Sequence, residues 1–322
     1  MIHAEKLTRH FRVKKEIVEA VRGIDIDVAE GELLAFLGPN GAGKSTTLRM
    51  LTSLLPPTSG TATVAGVSVV DDPAGVRKRI GYIGQGNGAG HYYRVLDELL
   101  MQGRFYGMSK TESRQRAGEL LETLDLRDLA KRAVMTLSGG QRRRLDIAMG
   151  LMHQPRLLFL DEPSTGMDPQ NRANLWEHIM RMRQQHGTTI VLTTHYLEEA
   201  DSMAERVVVI DHGQIIADDT PANLKAKLAG DRIMFTVPAR DVEKAERLLA
   251  DHGNLLQRAG VTNDRMRVSA RVENGPEVLP VLVRAADAAG LAVLAAQLHQ
   301  PTLDDVFLNL TGRSLREGGE SR

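Results

Sequence analysis

Leu33-Leu34-Ala35-Phe36-Leu37-Gly38-Pro39-Asn40-Gly41-Ala42-Gly43-Lys44-Ser45-Thr46 is the stretch that decides the fold. Its apolar opening reads as a strand buried on both faces of a sheet, and a helical pattern runs on through Leu55. Strand, glycine-rich turn and helix in that order make a phosphate-binding loop. The glycines let backbone N–H groups turn inward where a Cβ would crowd a phosphate, and the helix N-terminus adds positive dipole. Lys44 can then reach the terminal phosphates of a nucleotide, and the Ser45 hydroxyl is placed to ligate Mg²⁺. A glycine-rich turn with an incidental Lys-Ser is the bland alternative, and the strand and helix flanks argue against it.

Further along, Leu157-Leu158-Phe159-Leu160-Asp161-Glu162 is a second buried strand, ending in two carboxylates. The carboxyl ends of parallel strands open onto the ligand crevice, so the acids belong beside the phosphates. Asp161 would hold Mg²⁺ and Glu162 would orient and deprotonate a water; a solvated strand end before Pro163 is the alternative. Between the two strands, Leu137-Ser138-Gly139-Gly140-Gln141 opens a helix running to His153. It is either an ordinary helix cap or a second anion-binding N-terminus. With two phosphate-binding elements in one chain, two copies packed head to tail as a C₂ dimer could share each nucleotide.

These elements, in this order, identify the chain as a member of the ABC ATPase family, whose signature reads LSGGQ. The resemblance covers Met1 to about Leu228 and implies a P-loop NTPase domain of α/β class with a helical insertion near residues 86–153. It implies ATP and Mg²⁺ as ligands, with Gly38, Pro39, Asn40, Gly41, Ala42, Gly43, Lys44, Ser45 and Thr46 around the phosphates. Ser138, Gly139, Gly140 and Gln141 would face the nucleotide of the dimer mate. By register, Gln85 corresponds to the Q-loop glutamine that contacts Mg²⁺ and His195 to the switch histidine at the γ-phosphate. Asp168 corresponds to the D-loop aspartate that links the two sites, and Phe11 to the aromatic that stacks on adenine. Taken singly, a lone His or Gln reads as a surface or structural residue, and Phe11 as core.

Two positions depart from the family pattern. Gly84 replaces the usual proline before Gln85, and Gly86-Asn87-Gly88-Ala89-Gly90 follows, which predicts an unusually free loop. Met167 replaces leucine near Asp168, a volume-conserving change expected to be harmless. The run Gln141-Arg142-Arg143-Arg144-Leu145-Asp146 and the ending Pro301-Thr302-Leu303-Asp304-Asp305-Val306-Phe307-Leu308 resemble ATPase subunits of the daunorubicin/doxorubicin-resistance exporters. On residues alone, Arg142–Arg144 reads as a solvated helix face.

The wider sequence sets limits. At 322 residues the chain is long enough for about two domains. Lys and Arg balance Asp and Glu, so no basic surface points to nucleic acid as a partner. Cysteine is absent, which removes disulfides, iron–sulfur clusters and thiol catalysis. No apolar run approaches the roughly 18–20 residues of a membrane span, and the N-terminus lacks a signal-peptide core. A cytoplasmic ATPase is expected, held at the inner face of the membrane by a separate multi-span permease and dimerising on ATP. Export of a drug, antibiotic or other hydrophobic compound follows from the narrower resemblance. A lipid or polysaccharide exporter, an importer or a soluble ABC ATPase would use the same catalytic residues.

Beyond Ala229-Gly230-Asp231 the pattern reads strand Ile233–Val237, helix Asp241–His252 and a weak strand near Leu255–Ala259. Strand Met266–Val272, helix Glu277–Ala289 and strand Ala292–Gln297 follow. This βαββαβ order predicts a small ferredoxin-like α+β domain over 231–316, with no chemistry of its own. A short helix from Thr302 places Leu303, Val306, Phe307 and Leu310 on one face, expected to pack on the domain or a dimer mate. Residues 317–322 read as a disordered tail.

Overall fold

The computed structural model describes residues 1–262 and 264–312. It divides into two compact units, Met1–Asp218 and a second beginning at Asp219. The expected tail lies outside the described residues.

A long antiparallel hairpin, β1 (Ile2–Val13) and β2 (Glu16–Val28), opens the first unit. β3 (Leu33–Leu37) then starts a second sheet and leads through the phosphate-loop turn into helix α1 (Lys44–Leu51). That helix stops short of Leu55, because Ser53 turns to φ 57. β4 (Ser59–Val64) and β5 (Val67–Ser68) return to the first sheet, whose order is β2-β1-β4-β5. α2 (Pro73–Arg79) leads into β6 (Ile80–Ile83). The helical insertion follows as α3 (Val95–Phe105), α4 (Lys110–Thr123) and α5 (Gly139–Gly150).

β7 (Leu157–Asp161), α6 (Pro169–His186), β8 (Thr189–Thr194), α7 (Leu197–Met203), β9 (Arg206–Asp211) and β10 (Gln214–Asp219) complete the second sheet. Its order is β10-β9-β3-β8-β7-β6, with β9, β3, β8, β7 and β6 parallel. Every residue of β3, β7 and β8 is buried, as expected of strands covered on both faces of a sheet. Phe36 and Phe159 on this sheet join Leu7, Val21 and Ile24 of the hairpin in one core, each large side chain contributing about 1.5–3 kcal/mol on burial. Strand order also positions the chemistry. Neighbouring strands β3, β8, β7 and β6 all end at one edge, so the segments after them converge there.

The second unit's first helix is α8 (Pro221–Leu224), capped by Thr220. One further wide helical turn covers Lys225–Ala229. β11 (Asp231–Pro238), α9 (Val242–Ala250), β12 (Asn254–Thr262), β13 (Arg265–Val272), α10 (Gly275–Ala288) and β14 (Ala295–His299) follow in the expected βαββαβ order. They form one antiparallel sheet of order β12-β13-β11-β14. α11 (Leu303–Thr311) starts with a Thr302–Asp305 capping box. Leu303, Val306 and Phe307 are buried, and Asn309 donates to the Leu228 carbonyl. The α8 segment therefore packs with α11 inside this unit, which sets the division before Asp219 rather than at Gly230.

Candidate functional site

The turn after β3 needs its glycines for two separate reasons. Gly43 has φ 105, and a Cβ there would lie 2.4 Å from the Ala20 carbonyl oxygen. A Cβ on Gly38 would lie 2.1 Å from the Ile210 carbonyl oxygen of β9. The resulting cradle, a cavity of about 370 Å³, is lined by Asn40, Gly41, Ala42, Gly43, Lys44, Ser45 and Thr46, with Ala20, Gln85 and Glu162. Lys44 is buried, and its Nζ donates to the carbonyls of Gly38 at 2.7 Å and Pro39 at 3.0 Å. Burial lowers its pKa, opposed by Glu162 and Asp161. A phosphate bound there would supply the anion that burial leaves wanting.

Beside it, Ser45 Oγ donates to Asp161 Oδ1 at 2.7 Å, and Gln85 Nε2 donates to Ser45 Oγ at 3.2 Å. Thr193 Oγ1 also donates to Asp161 Oδ1, at 2.8 Å. The other carboxylate oxygen, Oδ2, is buried without a partner. A buried carboxylate oxygen left unpaired is costly, and a hard cation among Asp161, Ser45 and Gln85 would satisfy it. Among the described residues no group of three or more His, Cys, Asp or Glu could hold a metal. Mg²⁺ at this point would therefore take most of its oxygens from nucleotide and water.

Glu162 follows Asp161 in the left-handed region at φ 46, a strained conformation for a residue with a Cβ. Its N–H donates to Thr193 Oγ1 at 3.0 Å, which fixes the turn. Its carboxylate lies 3.8 Å from Lys44 Nζ and 3.3 Å from His195 Nδ1, and accepts from Thr165 Oγ1 at 3.2 Å. Together these groups hold the Glu162 carboxyl below its usual pKa, with His195 the chief cause. The strand ends thus bring Lys44, Ser45, Gln85, Asp161, Glu162 and His195 into one cluster.

Ser138, Gly139 and Gly140 line a neighbouring cavity of about 360 Å³, together with Asp168, Asn171, Gln85 and Glu162. Ser138 caps α5 in a reciprocal box with Gln141. Asp168 caps α6, accepting from the Asn171 backbone at 3.0 Å. Phe11 sits apart from this cluster. It pairs with Val18 across the hairpin that carries Ala20, its ring lies under the Arg9 guanidinium, and it does not line the cradle.

An ABC transporter family model matches residues 21–165. The daunorubicin resistance ATP-binding protein DrrA3 of Streptomyces coeruleorubidus is 43% identical over 300 residues, 92% of this chain and 93% of that protein. The chain belongs to the ABC transporter family. Among its ABC relatives, the Nod factor export ATP-binding protein I of Paraburkholderia xenovorans is 36% identical across 95% of this chain and 97% of its own. A solved dimeric ATP-binding cassette, bound to ADP and phosphate after hydrolysis, matches with TM-score 0.63 at 26% identity. That match covers 68% of this chain and 98% of the solved one. The first unit is accordingly an ABC ATPase cassette.

Several residues of this cassette are not legible in the sequence. Arg143 does not lie on a solvated face: it is buried, donating to the carbonyls of Pro163 at 2.8 Å, Gly84 at 2.6 Å and Asp161 at 3.4 Å. Nor is the glycine-rich loop loose. Gly88 and Ala89 donate their N–H groups to buried Asp146 at 2.9 and 3.3 Å, and Gly90 donates to buried Glu98 at 2.9 Å. Burial raises the pKa of both carboxyls, against the pull of those N–H groups. Glu199 is buried too, accepting from Ser164 and from Thr194 Oγ1 at 2.8 Å, with Arg172 at 3.7 Å. It ties the segment after Glu162 to the strand end that carries His195. The available signal is a charged residue at i, i+3 spacing inside an otherwise apolar helix face, as at Arg143 and Asp146.

Proposed function

We propose that this ABC ATPase works as a homodimer with Mg²⁺ and drives a separate permease that exports an antibiotic, drug or other hydrophobic compound. Lys44 and the backbone of Gly38–Gly43 would hold the phosphates of ATP, and Glu162 would take the proton of the attacking water. Ser45, Gln85 and Asp161 would hold Mg²⁺, which offsets charge developing on the transferred phosphoryl group. His195 would orient Glu162 and the terminal phosphate. The Asp161–Ser45–Gln85 cluster beside strained Glu162 carries this reading: an unpaired buried oxygen meets a base whose carboxyl is kept ionised.

Support for a dimer comes from the signature. Ser138, Gly139 and Gly140 do not line the cradle of their own protomer. A second copy turned head to tail would bring them to its nucleotide, with Asp168 near the junction. Support for a permease comes from the exposed apolar groups Tyr92, at 84%, and Phe105, at 78%, flanking the start and end of the first insertion helix. No described helix is long and apolar enough to cross a membrane, so transport would need that partner. Relatives named for daunorubicin resistance and for linearmycin resistance favour an antibiotic cargo. A lipid or polysaccharide cargo is the second reading, and the relative named for Nod factor export leaves room for a cargo other than a drug.

The test is Glu162→Gln, which keeps shape and removes the base. ATP binding should persist while turnover with the permease falls at least about a hundredfold. The variant should also sediment as an ATP-bridged dimer. Turnover within a few-fold of the parent would sink the assignment of Glu162, and an ATP-loaded monomer would sink the shared site.

A further inference from the structure

We infer that Arg143 and Asp146 are positioning residues that clasp the loop Gly84–Gly90 to the signature helix α5, holding Gln85 and Glu162 in register with Ser138. The inference rests on the ATPase reading above and adds to it a mechanical link.

Both residues point off one face of α5 at i, i+3 spacing, and both are buried. Arg143 bridges two separate segments: its guanidinium reaches the Gly84 carbonyl, adjacent to Gln85, and the Asp161 and Pro163 carbonyls, which flank Glu162. Asp146 then takes two consecutive N–H groups from the far side of the loop, at Gly88 and Ala89. Glu98 of α3 takes the next, at Gly90. A loop this rich in glycine has almost no side chains with which to anchor itself. Its position is therefore dictated by charges on other elements. Burying a charged group is costly unless it is paired. Here Arg143 is paired with three carbonyls and Asp146 Oδ1 with two N–H groups, all on backbone next to the reactive groups, while Asp146 Oδ2 has no hydrogen-bond partner.

The consequence is a coupling within one protomer. Ser138 caps the start of α5, and a helix transmits displacement along its axis as a nearly rigid rod. The cap that a protomer offers to its mate's nucleotide thus moves with the Gln85–Glu162 pair that it offers to its own. Arg143 and Asp146 are the joints. Neither lines the cradle for the phosphates, although Arg143 reaches the neighbouring cavity beside Ser138.

Asp146→Ala and Asp146→Asn separate this role from simple packing, in the full chain with its permease. The parent should show protected backbone amides at Gly88 and Ala89 by hydrogen exchange, and Asp146→Ala should lose that protection at least about tenfold. Its kcat should fall about tenfold or more, as for other groups that position a reacting shell, while ATP affinity by fluorescent-analogue titration stays within about threefold. Asp146→Asn keeps the acceptor oxygen and should retain both protection and kcat within about threefold. Parental kcat in Asp146→Ala overturns the clasp, and so does an equal loss in the Asn variant, which would signal a packing defect. If Asp146→Ala fails to fold, Arg143→Lys decides. An ammonium cannot span three carbonyls, so kcat should fall with ATP affinity kept, and a parental kcat overturns the inference. A parent that hydrolyses no ATP would sink the proposed function instead. The exchange protection at Gly88 and Ala89 would still report on the clasp alone.

Discussion

Two loops of the cassette are rich in glycine, and they are held by opposite means. The phosphate loop, Gly38–Gly43, is shaped from within: Gly43 sits at φ 105 against the Ala20 carbonyl, a place open only to a residue without a Cβ. The second loop, Gly84–Gly90, takes no left-handed φ at any of its glycines. It is shaped from outside, by Arg143, Asp146 and Glu98 on two helices. Glycine in the first loop is there for a conformation. In the second it leaves room for buried charges from elsewhere to reach the backbone, and a count of glycines alone makes both loops look free.

The sharpest way to break this contrast is Gly43→Ala. The left-handed φ costs about 1–3 kcal/mol for a residue with a Cβ, and the 2.4 Å approach to a backbone oxygen cannot relax by rotating a side chain. The turn should shift and withdraw its N–H groups from the phosphates. ATP affinity, read by fluorescent-analogue titration, should fall at least about tenfold. Affinity within twofold or so of the parent would mean the loop tolerates another conformation, and its glycines would be no more restrictive than those after Gln85.

Gly90→Ala should be milder. A Cβ there would come within 2.8 Å of Glu98 Oε1 and 2.9 Å of the Tyr93 ring, both side-chain atoms rather than backbone. The half-exposed Tyr93 ring and the Glu98 carboxylate would both have to shift, at a loss of about 1 kcal/mol and some of the grip on the Gly90 N–H. ATP affinity should be unchanged and the thermal midpoint of the first unit lower by about 2–4 °C. An effect on ATP affinity as large as that of Gly43→Ala would show that the two loops act as one element.

Legibility in the sequence divides along the same line. The apolar runs Leu33–Leu37 of β3 and Leu157–Leu160 of β7, with the apolar centre of β8, announce a buried parallel sheet, and its topology places Lys44, Ser45, Asp161, Glu162 and His195 at one edge. Runs of that kind are written locally. The antiparallel sheet built on β1 and β2 escapes such a reading, because its alternation is broken by register shifts at Ala4/Leu7 and Arg9/His10. Arg143 misleads for a different reason. Its partners are carbonyls at Gly84, Asp161 and Pro163, and a backbone oxygen looks the same in every sequence. The buried face of α11 is legible as a stripe, whereas its partner, the α8 segment, reads from sequence as the wrong side of the boundary.

The smallest expected effect is the most discriminating. Gly86 has no atom within 4 Å of where a Cβ would lie and no left-handed φ, so alanine fits without strain. Gly86→Ala then acts mainly on the unfolded chain, which loses conformational freedom, and should stabilise the first unit by about 0.4–1 kcal/mol. That corresponds to a rise in its thermal midpoint of about 1–4 °C. Because Asp146 and Glu98 already fix the loop beyond it, stiffening the backbone one residue after Gln85 should leave turnover within about twofold. Turnover reduced tenfold or so in a protein that is more stable would give the opposite lesson. The loop would then need backbone freedom at Gly86 to move Gln85 during the cycle. The clasp would hold only its distal half, and the contrast between the two loops would shrink to the segment Gly88–Gly90.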